Sequence, residues 1–294
     1  MSFSKKPLST NQMIDRLRTR GLQIEDEASF ASLLTHANYY RLSAYWHPFK
    51  ISSSNSEEEF KPGFTGQMLV EHYEFDSVLR ERVFKAISLI EIAMRRHIAF
   101  EFSHRHGPFA HLQKDLFEDQ TKWEETISIV RVDYLRSPTK FAVHFRREHP
   151  ELILPPIWAT VELMSLGGLR HLFGNIKKRA LRQAVAVYFG IDETVMLSLL
   201  HHLEQVRNIC AHHDRLWNVK FSKVPSLPDS IGARHPAVFE RAVKQPRTIY
   251  NSLVLLNYIE GLITKQETLL NDIEVLLAAY PSVDRKFMGY PQCK

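Results

Sequence analysis

Residues 65–104 read TGQMLVEHYEFDSVLRERVFKAISLIEIAMRRHIAFEFSH, and within them Phe75, Leu79, Val83, Ile87, Ile90, Met94, Ile98 and Phe102 recur at steps of three or four. This is the period of an α-helix with one stripe that stays apolar for many turns. The stretch predicts one long core helix. Gly107-Pro108 should end it, because glycine tolerates a left-handed cap and proline cannot extend the hydrogen-bond ladder. The expected fold class is all-α, a helical bundle.

Moving outward toward the amino terminus, Ser9 and Gln12 form a capping-box pattern ahead of Met13, Ile14 and Leu17, and Gly21 supplies a stop. A first helix is expected there, exposing Arg16, Arg18 and Arg20. A second is expected from Glu27 to Ala37, with Phe30, Leu33 and Leu34 facing inward. The aromatic stretch Asn38 to Trp46 comes next, then a polar loop from Ser52 to Glu59. Toward the carboxy terminus, helical patterns cover 123–136, 141–148, 177–189 and 192–212, with two more near 248–263 and 267–280. After Pro155-Pro156, Trp158 to Ser165 reads as a helix that Gly167-Gly168 interrupts, and Pro225, Pro228 and Pro236 mark a loop-rich connection. No alternating strand series or internal repeat is visible. The division expected is a helical extension over 1–64 and a helical core over 65–294.

The composition, 44% hydrophobic and 24% charged over 294 residues, is that of a globular protein with a substantial core. Cys210 and Cys293 have no partners at metal-ligand spacing, so neither a disulfide framework nor a zinc knuckle is expected, and a reducing, cytoplasmic compartment fits. The opening MSFSKKPLSTNQM carries no apolar run, and stretches such as Val195 to Leu200 are too short for a bilayer. No membrane association is expected. The net charge of +5 permits a nucleic-acid partner without demanding one. His104, His106 and His111 are close in sequence but fall at a helix end and its following loop, with no cysteine or His-Glu-x-x-His element beside them. No metal or other cofactor is expected.

Between Asp192 and His212 one face carries Met196, Leu199, Leu200, Leu203, Val206 and Cys210. On the other, His201, Glu204, Asn208 and His212 recur at helical steps, where an ordinary solvated face more often carries lysine and glutamate. Arg207 lies three residues after Glu204, within range of an ion pair. The five-residue step from Arg207 to His212 turns by roughly 140°, so the two need not converge within one helix. Two such helices across a two-fold axis would bring the arginine of one to the histidine of the other, since such contacts are self-complementary. Histidine relays protons near neutral pH and arginine offers a planar, permanent charge to phosphate oxygens, a pairing suited to attack of a ribose 2'-hydroxyl on its own phosphodiester. The spacing alone decides little: Arg41 to His47, Arg105 to His111 and Arg207 to His213 repeat it at six residues. The wider string VRNICAHHDRLWN, 206–218, is more specific.

With that string, Lys6 to Ser9, Asn38 to Tyr45, Glu91 and Arg95 on the long helix, and Trp158 through Gly167, the chain resembles the Abi-like family, abortive-infection proteins of the AbiD and AbiF type within the HEPN superfamily of helical ribonucleases. The resemblance implies a HEPN-like helical bundle, metal-independent endoribonuclease activity, a homodimeric site, and a toxin-like role in prokaryotic defence against phage. It also implies an association, in some members, with a small structured RNA. Arg207 and His212 match the family's Arg-x4-His positions and Asn208 the polar residue after the arginine; these three are the expected catalytic set, with a structural role such as helix capping by His212 as the alternative. Glu204, His213, Asp214 and Arg215 are candidates for support, with His213 in reserve as a catalytic residue and the polar turn that ends a helix as the alternative for 213–215. Arg41, Tyr39, Tyr40, Arg95, Arg96, Lys177 and Lys178 are candidate RNA contacts, although aromatics as dense as Tyr39, Tyr40 and Trp46 more often build a small core. The rival expectation is a non-catalytic protein that holds an RNA or a protein partner.

Overall fold

The computed structural model describes residues 6–51 and 59–290. Three short helices come first, α1 (Thr10–Thr19), α2 (Glu27–His36) and α3 (Tyr39–Trp46). The capping box forms as the sequence predicts: the Ser9 hydroxyl accepts from the Gln12 amide at 3.3 Å, and the Gln12 side chain accepts from the Ser9 amide at 2.9 Å. The aromatic stretch is itself helical, capped by Asn38, and it buries Leu42, Tyr45 and Trp46. Two residues from each side, β1 (Lys50–Ile51) and β2 (Glu59–Phe60), pair antiparallel around the polar segment, of which 52–58 lies outside the described residues.

The long helix, α4 (Gly66–His106), runs for 41 residues. Thr65 caps it by accepting from the Met68 amide, and Gly107, at φ +84°, closes it with an amide that donates to the Ser103 carbonyl. All eight residues of the apolar stripe are buried. Around α4 are wrapped α5 (Gln120–Arg136), α6 (Lys140–Glu148), α7 (Ile157–Leu163), α8 (Leu166–Gly174), α9 (Arg179–Ala186), α10 (Glu193–Ala211), α11 (Asp229–Arg234), α12 (Pro236–Lys244), α13 (Ile249–Thr264) and α14 (Leu269–Ala279). Of these, α7, α8, α9, α10, α13 and α14 pack on α4 directly. The protein is an all-α bundle, and no single helix among the described residues is long and apolar enough to cross a membrane.

Two apolar clusters form. Ile14, Leu17, Phe30, Leu42, Trp46, Phe60 and Phe64 gather with Leu69 and Val70 at the start of α4, and the rest of the core gathers along its remainder. Phe49 touches both. Two segments differ from the sequence expectation. Gly167 and Gly168 do not interrupt a helix but open α8, with Ser165 as the cap accepting from the Gly168 amide at 3.2 Å. A Cβ at 167 would lie 2.7 Å from a Glu204 carboxylate oxygen, so glycine permits the close approach of α8 to α10. The proline-rich connection holds α11 and α12, the latter started by Pro236, whose missing N–H would have been unpaired at that position in any case.

Candidate active site

Helix α10 is set by both of its ends. Asp192 caps the start, its carboxylate accepting from the Thr194 and Val195 amides at 2.7 and 3.0 Å. Its inward stripe, Met196, Leu199, Leu200, Leu203, Val206 and Cys210, is buried as the period requires. Burial pushes the Cys210 thiol up to about 12, reinforced by the charge of Asp76, so this cysteine is no nucleophile near neutral pH.

The far end is the informative one. His212 is the C-cap residue, and its amide donates to the Asn208 carbonyl at 2.9 Å. The His213 amide donates to Cys210 at 3.1 Å and the Asp214 amide to Ile209 at 2.9 Å, the two bonds of a Schellman turn. Such a turn needs a left-handed residue at the position after the cap, and here it is His213, at φ +57°. Glycine usually takes that place because any side chain strains it. The polar turn expected as the alternative role for 213–215 is therefore present.

The segment beyond the turn is clamped from two sides. Asp76, fully buried on α4, accepts from the Leu216 amide at 3.0 Å and the Trp217 amide at 2.6 Å. The same carboxylate accepts the Tyr45 hydroxyl at 2.7 Å and is ion-paired with Arg80 one turn along α4. Burial pushes the Asp76 carboxyl up, opposed by the Arg80 charge and by these three hydrogen bonds. From α3, the Arg41 guanidinium donates to the His213 carbonyl; in return the Arg215 guanidinium donates to the Ala44 carbonyl. Trp217 is buried edge-on against His72, with ring centroids 4.7 Å apart, and packs with Phe49 and Phe287.

Asn208, His212 and His213 remain exposed on the outside of this turn, and His201 and Glu204 are half-buried on the same side of α10. Glu204 does not pair with Arg207. It accepts from Arg170 of α8 at 2.6 Å, a partner 34 residues away that i,i+3 spacing does not reveal. Arg207 is left with its guanidinium 5.9 Å from the centroid of the Phe84 ring and a buried Nε without a hydrogen-bond partner. Phe84 is itself 37% exposed. The arrangement is a cation on an aromatic shelf with no carboxylate bound to it among the described residues, next to an exposed amide and an exposed imidazole on a backbone held fixed. Such groups accept an anion and can move a proton beside it.

The remaining candidates divide. Arg41 reaches the motif turn but through its backbone, as part of the clamp. Tyr39 is held by Arg20, which donates to its hydroxyl at 3.0 Å, and by an edge contact to Trp46. Tyr40, 78% exposed, stands free of the small core. Arg95 is committed to Glu91 and to the Val161 and Met164 carbonyls, which ties α7 to α4, whereas Arg96 projects over the Phe100 ring at 4.3 Å. Lys177 and Lys178 are exposed at the entry to α9, away from the motif in the chain and joined to α5's leading loop by the Lys177 amide on Leu116. Asp76, Arg80 and Tyr45 are absent from the sequence-based set. Their signal is Asp76 and Arg80 set one turn apart beside the apolar stripe of α4, where unpaired charges would be costly.

A family described as Abi-like protein matches residues 32–218, a span that starts in α2, takes in the whole clamp and closes on Asn218. Neither the curated proteins nor the solved structures give a match.

Proposed function

The chain belongs to the Abi-like protein family, and from that premise we propose that it is an RNA endonuclease of the HEPN type acting in abortive-infection defence. The observation that carries this reading is the pairing of a fixed backbone with free chemistry: His212 caps a helix whose following turn is clamped by Asp76, Arg41 and Arg215, while Arg207 has no carboxylate partner among the described residues. In the proposed reaction a histidine imidazole takes the proton of a ribose 2'-hydroxyl, whose oxygen attacks the adjacent phosphorus. The bond to the 5'-oxygen breaks, that oxygen takes up a proton, and a 2',3'-cyclic phosphate and a 5'-hydroxyl result. Arg207 counters the charge that builds on the phosphate oxygens, and Asn208 orients the phosphate or the imidazole. The nucleophile belongs to the RNA, so DNA is not cleaved.

Because Arg207 and His212 are separated by more than a turn of α10, two copies meeting along this exposed strip would complete the site, each supplying what the other lacks. A small structured RNA is the proposed partner that holds such a nuclease in check. The test is incubation of wild-type and His212→Ala protein with labelled single-stranded and structured RNA in excess chelator. Cleavage by the wild type alone, with cyclic phosphate ends, is the expected result. Absence of cleavage together with tight, salt-sensitive binding supports the RNA-holding alternative. Light scattering that returns a monomer alongside full activity removes the two-copy site.

A further inference from the structure

A groove of about 400 Å³ opens on a different part of the bundle, between α4 and α7, floored by Ala99 and Val161 and walled by Arg96, Phe100, Trp158 and Glu162. Its volume is in the range of small-molecule sites. Arg96 lies twelve residues beyond Phe84 on α4, roughly 18 Å along the axis, so the groove is separate from the Arg207 shelf.

The chemistry of the walls is specific. Phe100 is covered, with the Arg96 guanidinium 4.3 Å from its centroid and the His104 ring 3.9 Å away. Trp158 is not: it is 54% exposed, and it stacks on no other ring among the described residues. Glu162 comes one turn after Trp158 on α7, so the indole and the carboxylate share a face, and the carboxylate has no ion-pair partner among the described residues. Arg96 likewise has none among the described residues, its guanidinium lying over the Phe100 ring instead. A free cation, a free carboxylate and a bare indole around one groove ask for a ligand that is flat, anionic at one end, and a hydrogen-bond donor at the other.

We propose that this groove binds a guanine nucleotide, the base stacked on Trp158, its adjacent N1–H and N2–H donors on the Glu162 carboxylate, and its phosphate on Arg96. Guanine is selected among the bases because it alone presents two neighbouring donors on its Watson–Crick edge to a two-oxygen acceptor; adenine, cytosine and uracil present one donor beside an acceptor, which faces the carboxylate unfavourably. Stacking supplies affinity without selecting the base, and the carboxylate supplies the selection. Binding here requires no cleavage at His212, and the guanine can be a free nucleotide or a residue of a single-stranded RNA.

Titration calorimetry with GMP, AMP, CMP and UMP on the full chain tests it. The wild type should prefer GMP by about tenfold or more, the discrimination that one bidentate contact provides. Glu162→Gln, an exposed near-isostere that leaves the fold intact, should remove that preference while leaving AMP affinity within about twofold. Trp158→Ala should weaken all four nucleotides by about tenfold or more, and Arg96→Gln should reduce the advantage of GMP over guanosine. A pentanucleotide with one central guanine, measured on His212→Ala protein so that RNA is not consumed, separates the sources: binding about tenfold tighter than GMP assigns the guanine to RNA, and equal binding assigns it to a free nucleotide. Equal affinity for GMP and AMP, no GMP binding at millimolar concentration, or a Glu162→Gln protein that keeps the preference each overturns the site. GMP preference in a protein that cleaves no RNA would overturn the nuclease reading and leave this one standing.

Discussion

Residues 213–217 and residues 207–212 adjoin in the chain and differ in almost everything else. The first segment is held mainly through its backbone: the Leu216 and Trp217 amides by Asp76 and the His213 carbonyl by Arg41, with the Arg215 guanidinium donating to the Ala44 carbonyl. In the second, Asn208 and His212 have exposed side chains, and Arg207 has an aromatic ring beside it where a carboxylate is usual. The backbone here is thus fixed by residues drawn from α3 and α4, so that the outward side chains need no bonds of their own to stay in place. One region should therefore govern stability and the other activity.

The change most able to upset this division is at Asp76. Asp76→Ala removes the acceptor for two amides and a hydroxyl and leaves Arg80 buried without its partner. Losing one side of such a pair costs about 3–5 kcal/mol. Urea denaturation should register that loss, and cleavage should fall with it although Asp76 is remote from solvent. A protein that keeps its full stability would mean that the clamp does not fix the turn.

Comparable in size is the response to acid. His202, on the buried side of α10 between the Lys223 carbonyl and Ser252, and His111, beside Thr160, are both pushed down to about 4 by burial. In the unfolded chain the same imidazoles take up a proton near 6.5, so between about 6.5 and 4 the unfolded state binds more protons and stability falls as pH falls. The stabilising contribution is complete above about 6.5 and is lost toward 4, on the order of 3 kcal/mol for each residue. Melting curves at pH 7.5, 6 and 4.5 should show the decline, and His202→Gln should flatten it. An unchanged slope in that variant would show that His202 opens to solvent before the protein unfolds.

How much of this was legible in the sequence depends on whether the determining contacts were local. The long helix and its stop at Gly107 follow from period and end signals within a few residues, and the structure has them there. The buried stripe of α10 follows in the same way. Contacts across the fold left weaker marks. Glu204 had a suitable cation three residues on, yet it binds Arg170, and nothing in local spacing distinguishes the two. Gly167-Gly168 signalled a break by composition, whereas tertiary packing against Glu204 makes it the first turn of a helix. The aromatic stretch at 38–46 held both possibilities, and Trp46 and Tyr45 went to the core while Tyr40 stayed out. The clamp left only a partial mark, Asp76 and Arg80 one turn apart on α4, because its other members, Tyr45 and Leu216, come from distant segments.

A smaller effect locates the boundary itself. His213 is the left-handed residue of the Schellman turn, a conformation that costs a non-glycine residue about 1 kcal/mol. His213→Gly should therefore leave stability unchanged or raise it by up to about 1 kcal/mol, part of the relief being offset by glycine's freedom in the unfolded chain. If His213 serves only the turn, RNA cleavage survives the change. Loss of cleavage in a protein of equal or greater stability would move His213 from the clamp to the chemistry, and the strain at φ +57° would then have a functional reason.

Stability should change least at His212, and for that reason this residue separates the two regions most cleanly. Its side chain is exposed and enters no hydrogen bond or ion pair among the described residues, while its amide, which any residue supplies, makes the C-cap bond to Asn208. His212→Ala should stay within about 0.5 kcal/mol of the wild type in urea, the usual range for an exposed site without special contacts. Cleavage, on the proposed mechanism, should fall by about a hundredfold or more, since a proton-transfer group contributes on that scale. A large stability loss would place His212 in the clamp and make any loss of activity uninformative about proton transfer. A stable variant that has lost cleavage but binds RNA with unchanged affinity is the result that distinguishes a catalytic imidazole from a structural one, because only the former is needed in the transition state and not before it.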